Sequence, residues 1–147
     1  MATDERIVEA IERLMVESVG ITTVAFGQAS PDFELSFPQW RALVVIGATE
    51  GGIRVGEIAG RIGSAVPTTS RLVRRLERRG LVGAERDEAD RRATLVRLTP
   101  TGERIRGALV ERRRELVREA LAVQAGRLSS DLRIGLGQIG EALRWYE

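Results

Sequence analysis

The sequence predicts a mainly α-helical fold with a small β-wing, and three observations predict it. Apolar residues recur at helical spacing over most of the 147-residue chain. Gly63 and Gly80 punctuate two short helical stretches in its middle. One β-rich run, "ATLVRL" at 93–98, follows the charged stretch "ERDEADRR" at 85–92. The length suits one domain, 1–147, with enough chain to bury a core.

The elements follow in order. Residues 5–26 read as a helix, because Ile7, Ile11, Leu14, Met15, Val19 and Phe26 fall near one face while Glu5, Glu9, Glu12, Arg13 and Glu17 lie elsewhere. "GQASPDFE" breaks it. Ser36 with Gln39 matches a capping box, and Pro38 sits in the first turn. A second helix therefore runs through Trp40, Leu43, Val44 and Ile46 to about Thr49, where "EGG" stops it. A short helix over 55–62 ends at Gly63, a natural left-handed cap. Ser64 is expected to cap the next helix, "AVPTTSRLVRRLERRG", which tolerates Pro67 in its first turn and ends at Gly80. Two helices joined by so short a turn describe a helix-turn-helix.

"LVGAERDEADRRATLVRL" reads as two short strands around a charged loop, and a ribbon beside such a helix pair is a wing. Thr99 and Pro100 are an N-cap and first helical position, opening a long helix to about Gln124. Ser129 caps a last helix carrying Leu132, Leu136, Ile139, Leu143 and Trp145. The fold is thus a winged helix-turn-helix, about 36–99, flanked by N- and C-terminal helices at 5–26 and 100–146. The middle unit has its own core in Leu43, Ile58, Leu72 and Leu76. The apolar surplus on the flanking helices suggests a subunit interface, so these are expected to be dimerisation helices of a homodimer.

Composition excludes much chemistry. There is no cysteine and no histidine, and all 23 basic residues are arginine. Disulfides, thiolate zinc sites, imidazole bases, Schiff bases and P-loop lysines are therefore absent. No spaced carboxylate pair, glycine-rich phosphate loop or nucleophile elbow is visible, so the chain reads as a non-enzyme with no metal and no cofactor. No apolar run approaches a membrane span, and the acidic opening "MATDERIVEA" does not resemble a secretory leader. The expectation is a cytoplasmic protein with no membrane partner.

Net charge is only +2, but it is unevenly spread. Residues 1–53 hold 3 arginines against 8 acids, residues 54–97 hold 11 against 6, and residues 98–147 hold 9 against 7. A basic middle suggests an anionic partner. On the helix over 65–79, Val66, Thr69, Leu72, Val73 and Leu76 are expected to face inward. Thr68, Arg71, Arg75 and Arg78 then share another face, with Ser70 and Arg74 beside them. Only Glu77 lies among the four later arginines, so pairing cannot neutralise them. The pattern points to double-stranded DNA. Arg71 is placed for a bidentate guanine contact in the major groove, while Arg74, Arg75 and Arg78 are better placed for phosphates. At the wing, Arg91 and Arg92 can approach the minor groove, and Asp90, two residues from Arg92 on an extended segment, can hold its guanidinium.

"QWRAL", "VGEIAGRIG", "TTSRLVRRLERRGLV" and "RDEADRRATLVRLTPTG" together resemble the MarR family of bacterial transcription regulators. The resemblance implies a homodimeric winged helix-turn-helix, Arg71 and its neighbours in the major groove, and Asp90 and Arg92 at the wing tip. It implies a pseudo-palindromic operator and repression released by a small, often phenolic, effector. It places an effector site where the dimer helices meet the winged unit; Met15, Val19, Phe26 and Trp40 are candidates to line it, with Arg41 near an anionic group. The sequence departs from the family pattern at Ala65, where a serine is common, at Gly83 and Ala84, and at Arg54, which replaces a frequent threonine cap. Lack of cysteine and histidine argues against the peroxide-sensing and zinc-responsive branches. The alternative is a ligand-binding or protein-interaction module of the same fold that has lost specific DNA binding.

Overall fold

The computed structural model describes residues 4–29, 33–87, 93–122 and 129–143. Among the described residues, six helices and three strands follow one another as α1 (Glu5–Ala29), α2 (Phe37–Gly47), β1 (Ile53–Arg54), α3 (Val55–Ile62), α4 (Val66–Arg78), β2 (Val82–Arg86), β3 (Thr94–Leu98), α5 (Pro100–Ala122) and α6 (Ser130–Leu143). The fold is the mainly helical winged helix-turn-helix that the sequence predicts. Among the described residues, no helix is long and apolar enough to cross a membrane.

The helix termini follow local chemistry, with one correction. The Ser36 N–H donates to Gln39 Oε1 at 2.9 Å, and the Gly102 N–H donates to Thr99 Oγ1 at 3.1 Å. The Leu132 N–H donates to Ser129 Oγ at 3.2 Å. Gly63 takes the left-handed conformation at φ 65° and closes α3. The cap of α4, however, is Ala65 rather than Ser64, and it makes no side-chain cap bond. Pro67 in the first turn already fixes a helical φ, so the start of α4 does not depend on a hydroxyl.

The sheet is three-stranded, not the two-stranded ribbon expected. Its order is β1-β3-β2, all antiparallel, with Ile53 opposite Val96 and Ala84 also opposite Val96. Two residues after a double glycine are too few to register as a strand by alternation; Gly51 and Gly52, at φ 80° and 97°, turn the chain so that Ile53 reaches β3.

Leu43, Ile46, Ile53, Ile58, Leu76, Val82, Val96 and Leu109 are fully buried, joining α2, α3, α4, α5 and the sheet in one core. Gly102 fits where the first turn of α5 meets Leu81, just before β2: a Cβ there would stand 2.0 Å from the Leu81 carbonyl oxygen. Helices α1 and α6 bury far less. Ala25 is the one buried residue of α1, while Ile7, Leu14, Met15, Val16 and Val19 are all more than half exposed. On α6, Leu132, Ile134 and Leu136 are exposed as well.

Candidate nucleic-acid interface

Helix α4 exposes its charge because of how its apolar residues are spaced. Thr69, Val73 and Leu76 are buried at steps of four and three, which turns Arg71, Arg74, Arg75 and Arg78 outward. Thr68 is exposed and Ser70 half-buried on the same side. Leu72 is half-buried, and Val66 is half exposed instead of facing inward. Val66 is the first residue of the helix, before the helix has turned onto α3.

The arginines of α4 differ from most of those of α5, where Arg106, Arg112, Arg114 and Arg118 are paired with acids. On α5, Arg106 Nη2 donates to Glu103 Oε1 at 2.5 Å, and Arg118 Nη1 donates to Glu111 Oε1 at 2.7 Å. These hydrogen bonds hold both carboxyls below their ordinary values; at Glu111 the bond from Arg114 adds to that from Arg118. Among the described residues, no carboxylate pairs with Arg71, Arg74, Arg75 or Arg78. Arg71 and Arg75 line a notch of about 380 Å³ with Thr68, Ser36 and Gln39, and a second cleft of about 440 Å³ runs past Arg74 and Arg78. The two clefts make a continuous row of donors on one side of α4, with Glu77 the lone acid.

Asp90, Arg91 and Arg92 lie outside the described residues. Just before them, Arg54 Nη2 donates to Asp87 Oδ2 at 2.6 Å, and the Asp87 N–H donates to the Ala93 carbonyl at 3.0 Å. Arg97, on β3, donates to the Gly51 carbonyl from Nε at 2.9 Å and from Nη2 at 2.7 Å, and to Glu85 Oε2 at 3.0 Å. The base of the wing is thus fastened to the start of α3. Sequence reasoning missed Arg54 in this role, since a pair 33 positions apart leaves no local signature.

A separate cleft of about 440 Å³ opens between α1, α2, α3 and α5. Val19, Trp40 and Arg41, expected at an effector site, line it; Met15 and Phe26 do not. Phe26 instead packs behind, its ring 5.5 Å from Phe37 and 5.9 Å from Trp40 between centroids. Arg61 and Arg113 line the cleft too, alongside Ser18 and Thr22, though no local pattern marks them for it. Among the described residues, three guanidinium groups and no acid, beside Val44, Val45 and Phe37, make a site suited to a small anion with an apolar body. The Trp40 indole N–H is buried with no hydrogen-bond partner among the described residues.

A family model described as the MarR family matches residues 33–93. The uncharacterized HTH-type transcriptional regulator YfiV of Bacillus subtilis (strain 168) is 25% identical over 97% of this chain and 87% of its own length. A MarR family protein from Bacillus stearothermophilus is 28% identical in structural alignment, with a TM-score of 0.69 over 98% of this chain and 97% of the other. The Staphylococcus aureus MepR–DNA complex has the same fold at 21% identity, with a TM-score of 0.59 over 94% of this chain and 98% of that one. With the family model on the helix-turn-helix and wing, and the likeness to a family member extending over nearly the whole length of both chains, the protein belongs to the MarR family of winged helix-turn-helix, DNA-binding transcription regulators.

Proposed function

We propose that the chain is a homodimeric, sequence-specific repressor that reads a pseudo-palindromic operator with α4 and is released by a small organic anion. The observation that carries this reading is the α4 face, whose four arginines have no carboxylate partner among the described residues. Unpaired cations along an exposed helix are what a phosphate backbone neutralises. MepR, of the same fold, is a DNA complex, which supports the assignment. Arg71 reads a guanine; Arg74 and Arg75 hold phosphates; Thr68 and Ser70 add shorter contacts. Arg91 and Arg92, with Asp90 beside them, serve the minor groove.

The exposed apolar residues of α1 and α6 support the dimer. A monomer would leave Leu14, Val16, Val19 and Leu136 in water, at roughly 1.5–3 kcal/mol for each large side chain that a partner would fully bury. The cleft at Trp40 and Arg41 supports the effector, because it lies where α1 meets the helix-turn-helix. Such a protein works on DNA in the cytoplasm.

Selection of bound fragments from a random DNA pool tests the reading. The expected result is a pseudo-palindrome with half-site centres about 10 bp, or one turn, apart. A folded dimer that enriches no sequence would overturn it and leave the cleft as the functional site.

A further inference from the structure

One arginine beside the α4 row is already engaged within the protein. Arg79, the C-terminal cap just after α4, donates from Nη1 to the Glu34 carbonyl at 2.8 Å and from Nη2 to the Phe33 carbonyl at 2.6 Å. These carbonyls belong to the connection between α1 and α2, 45 and 46 positions earlier. We propose that Arg79 is a positioning residue: its guanidinium clamps the end of the recognition helix to the α1–α2 connection, and so sets the placement of α4 relative to the α1 arm. The inference rests on the reading that α4 enters DNA and α1 joins the dimer.

Three features make the connection a firm anchor. Leu35 is buried and Phe33 packs against the core, so the segment is fixed on both sides of Glu34. Glu34 itself holds φ at +50°, a left-handed conformation that non-glycine residues seldom keep without outside support. The planar fork of an arginine matches two adjacent carbonyls, and both terminal nitrogens are engaged by them. Arg78, one residue earlier, has no such partner among the described residues and lines the cleft beside Arg74. Two neighbouring arginines therefore have different tasks, which charge counting alone would merge.

The position of α4 against α1 matters because a two-fold dimer presents its two recognition helices at a fixed separation. Loosening the clamp lets each α4 shift against its arm. Binding to one half-site spacing then weakens, while contacts to the phosphates themselves persist.

The test compares the full-length parent with Arg79→Ala and Arg79→Lys. Amide hydrogen exchange at residues 33–35 is measured without DNA, and binding is titrated on the selected operator, on operators with one base pair added or removed between half-sites, and on random DNA at several salt concentrations. Both variants are expected to exchange about tenfold faster at 33–35. Both should bind the operator about tenfold more weakly, discriminate less between spacings, and keep the parent's random-DNA affinity and salt slope. Equal losses on operator and random DNA, with a salt slope reduced by about one, would make Arg79 a phosphate contact and overturn the proposal. Unchanged exchange at 33–35 would overturn it as well. A parent that shows no operator preference would defeat the DNA reading instead, and the exchange measurement would still decide the clamp.

Discussion

Arg54 and Asp87 meet at 2.6 Å and join the residue before α3 to the residue after β2. The Asp87 side chain is only 12% exposed. Because Asp87 also bonds through its N–H to Ala93, the one contact fixes both legs of the wing hairpin to the helix-turn-helix.

Replacing Arg54 by alanine should therefore lower stability by about 1–3 kcal/mol, since it takes a charged partner from a largely buried carboxylate. Urea unfolding checks this. Arg54→Lys should recover part of the loss. A variant as stable as the parent would mean that the carboxylate is fully held by other groups.

Gly102 and Gly47 provide a matched pair. At Gly102 an added Cβ meets backbone, the Leu81 carbonyl, whereas at Gly47 it meets the side-chain ends of Arg106 and Leu98. Backbone cannot step aside, so Gly102→Ala should cost about 1–3 kcal/mol or more, with the start of α5 forced away from Leu81. Gly47→Ala should cost less, because the Arg106 and Leu98 side chains can rotate aside where backbone cannot, and alanine favours the helix. Thermal unfolding that ranks them the other way would show that α5 yields more readily than its contacts imply.

Arg71 and Arg75 should separate on DNA. Arg71→Ala is expected to cost about 1–3 kcal/mol and relax preference at one base in each half-site. Arg75→Ala should weaken all sequences alike and lower the salt slope by about one. Titrations on operator and scrambled DNA over a range of salt would show whether Arg71 reads a base at all.

Leu136→Asp should split the dimer, because it places a charge in an apolar seam. Light scattering at micromolar concentration should shift from dimer to monomer mass, with DNA binding lost in parallel. A variant that stays dimeric would remove α6 from the interface.

The cleft at Trp40 should prefer charge. Benzoate is expected to raise the melting temperature, and benzamide, its uncharged counterpart, to have little effect. Arg113→Ala should weaken the benzoate response about tenfold or more. Equal responses to both compounds would leave the three arginines without a ligand role.

What the sequence made legible was local. The bounds of α3, the cap at Thr99 and the stop at Gly63 depend on residues within one helical turn, and each could be read from its neighbours. The outward row on α4 was equally open, because a buried series at 69, 73 and 76 fixes the opposite face. Contacts between distant segments were not legible. Nothing in "GGIR" announces a strand until Val96 is beside it, and nothing marks Arg54, Arg61 or Arg79 as different from any other arginine. Their roles come from partners brought near by the fold. Among 23 arginines, composition alone cannot separate those facing DNA from those holding the chain together.

The central place of β3 also bears on how the chain acquires its shape. Ile53 and Val96 are partners, yet α3, α4 and β2 all lie between them in sequence. Closing so long a loop has an entropic cost that the helices, built from near neighbours, do not share. The helix pair should therefore form early and the sheet late. During synthesis, residue 53 has no strand partner until residue 96 has left the ribosome. A nascent chain halted before β3 would carry its arginine helix into the cell with no wing to accompany it.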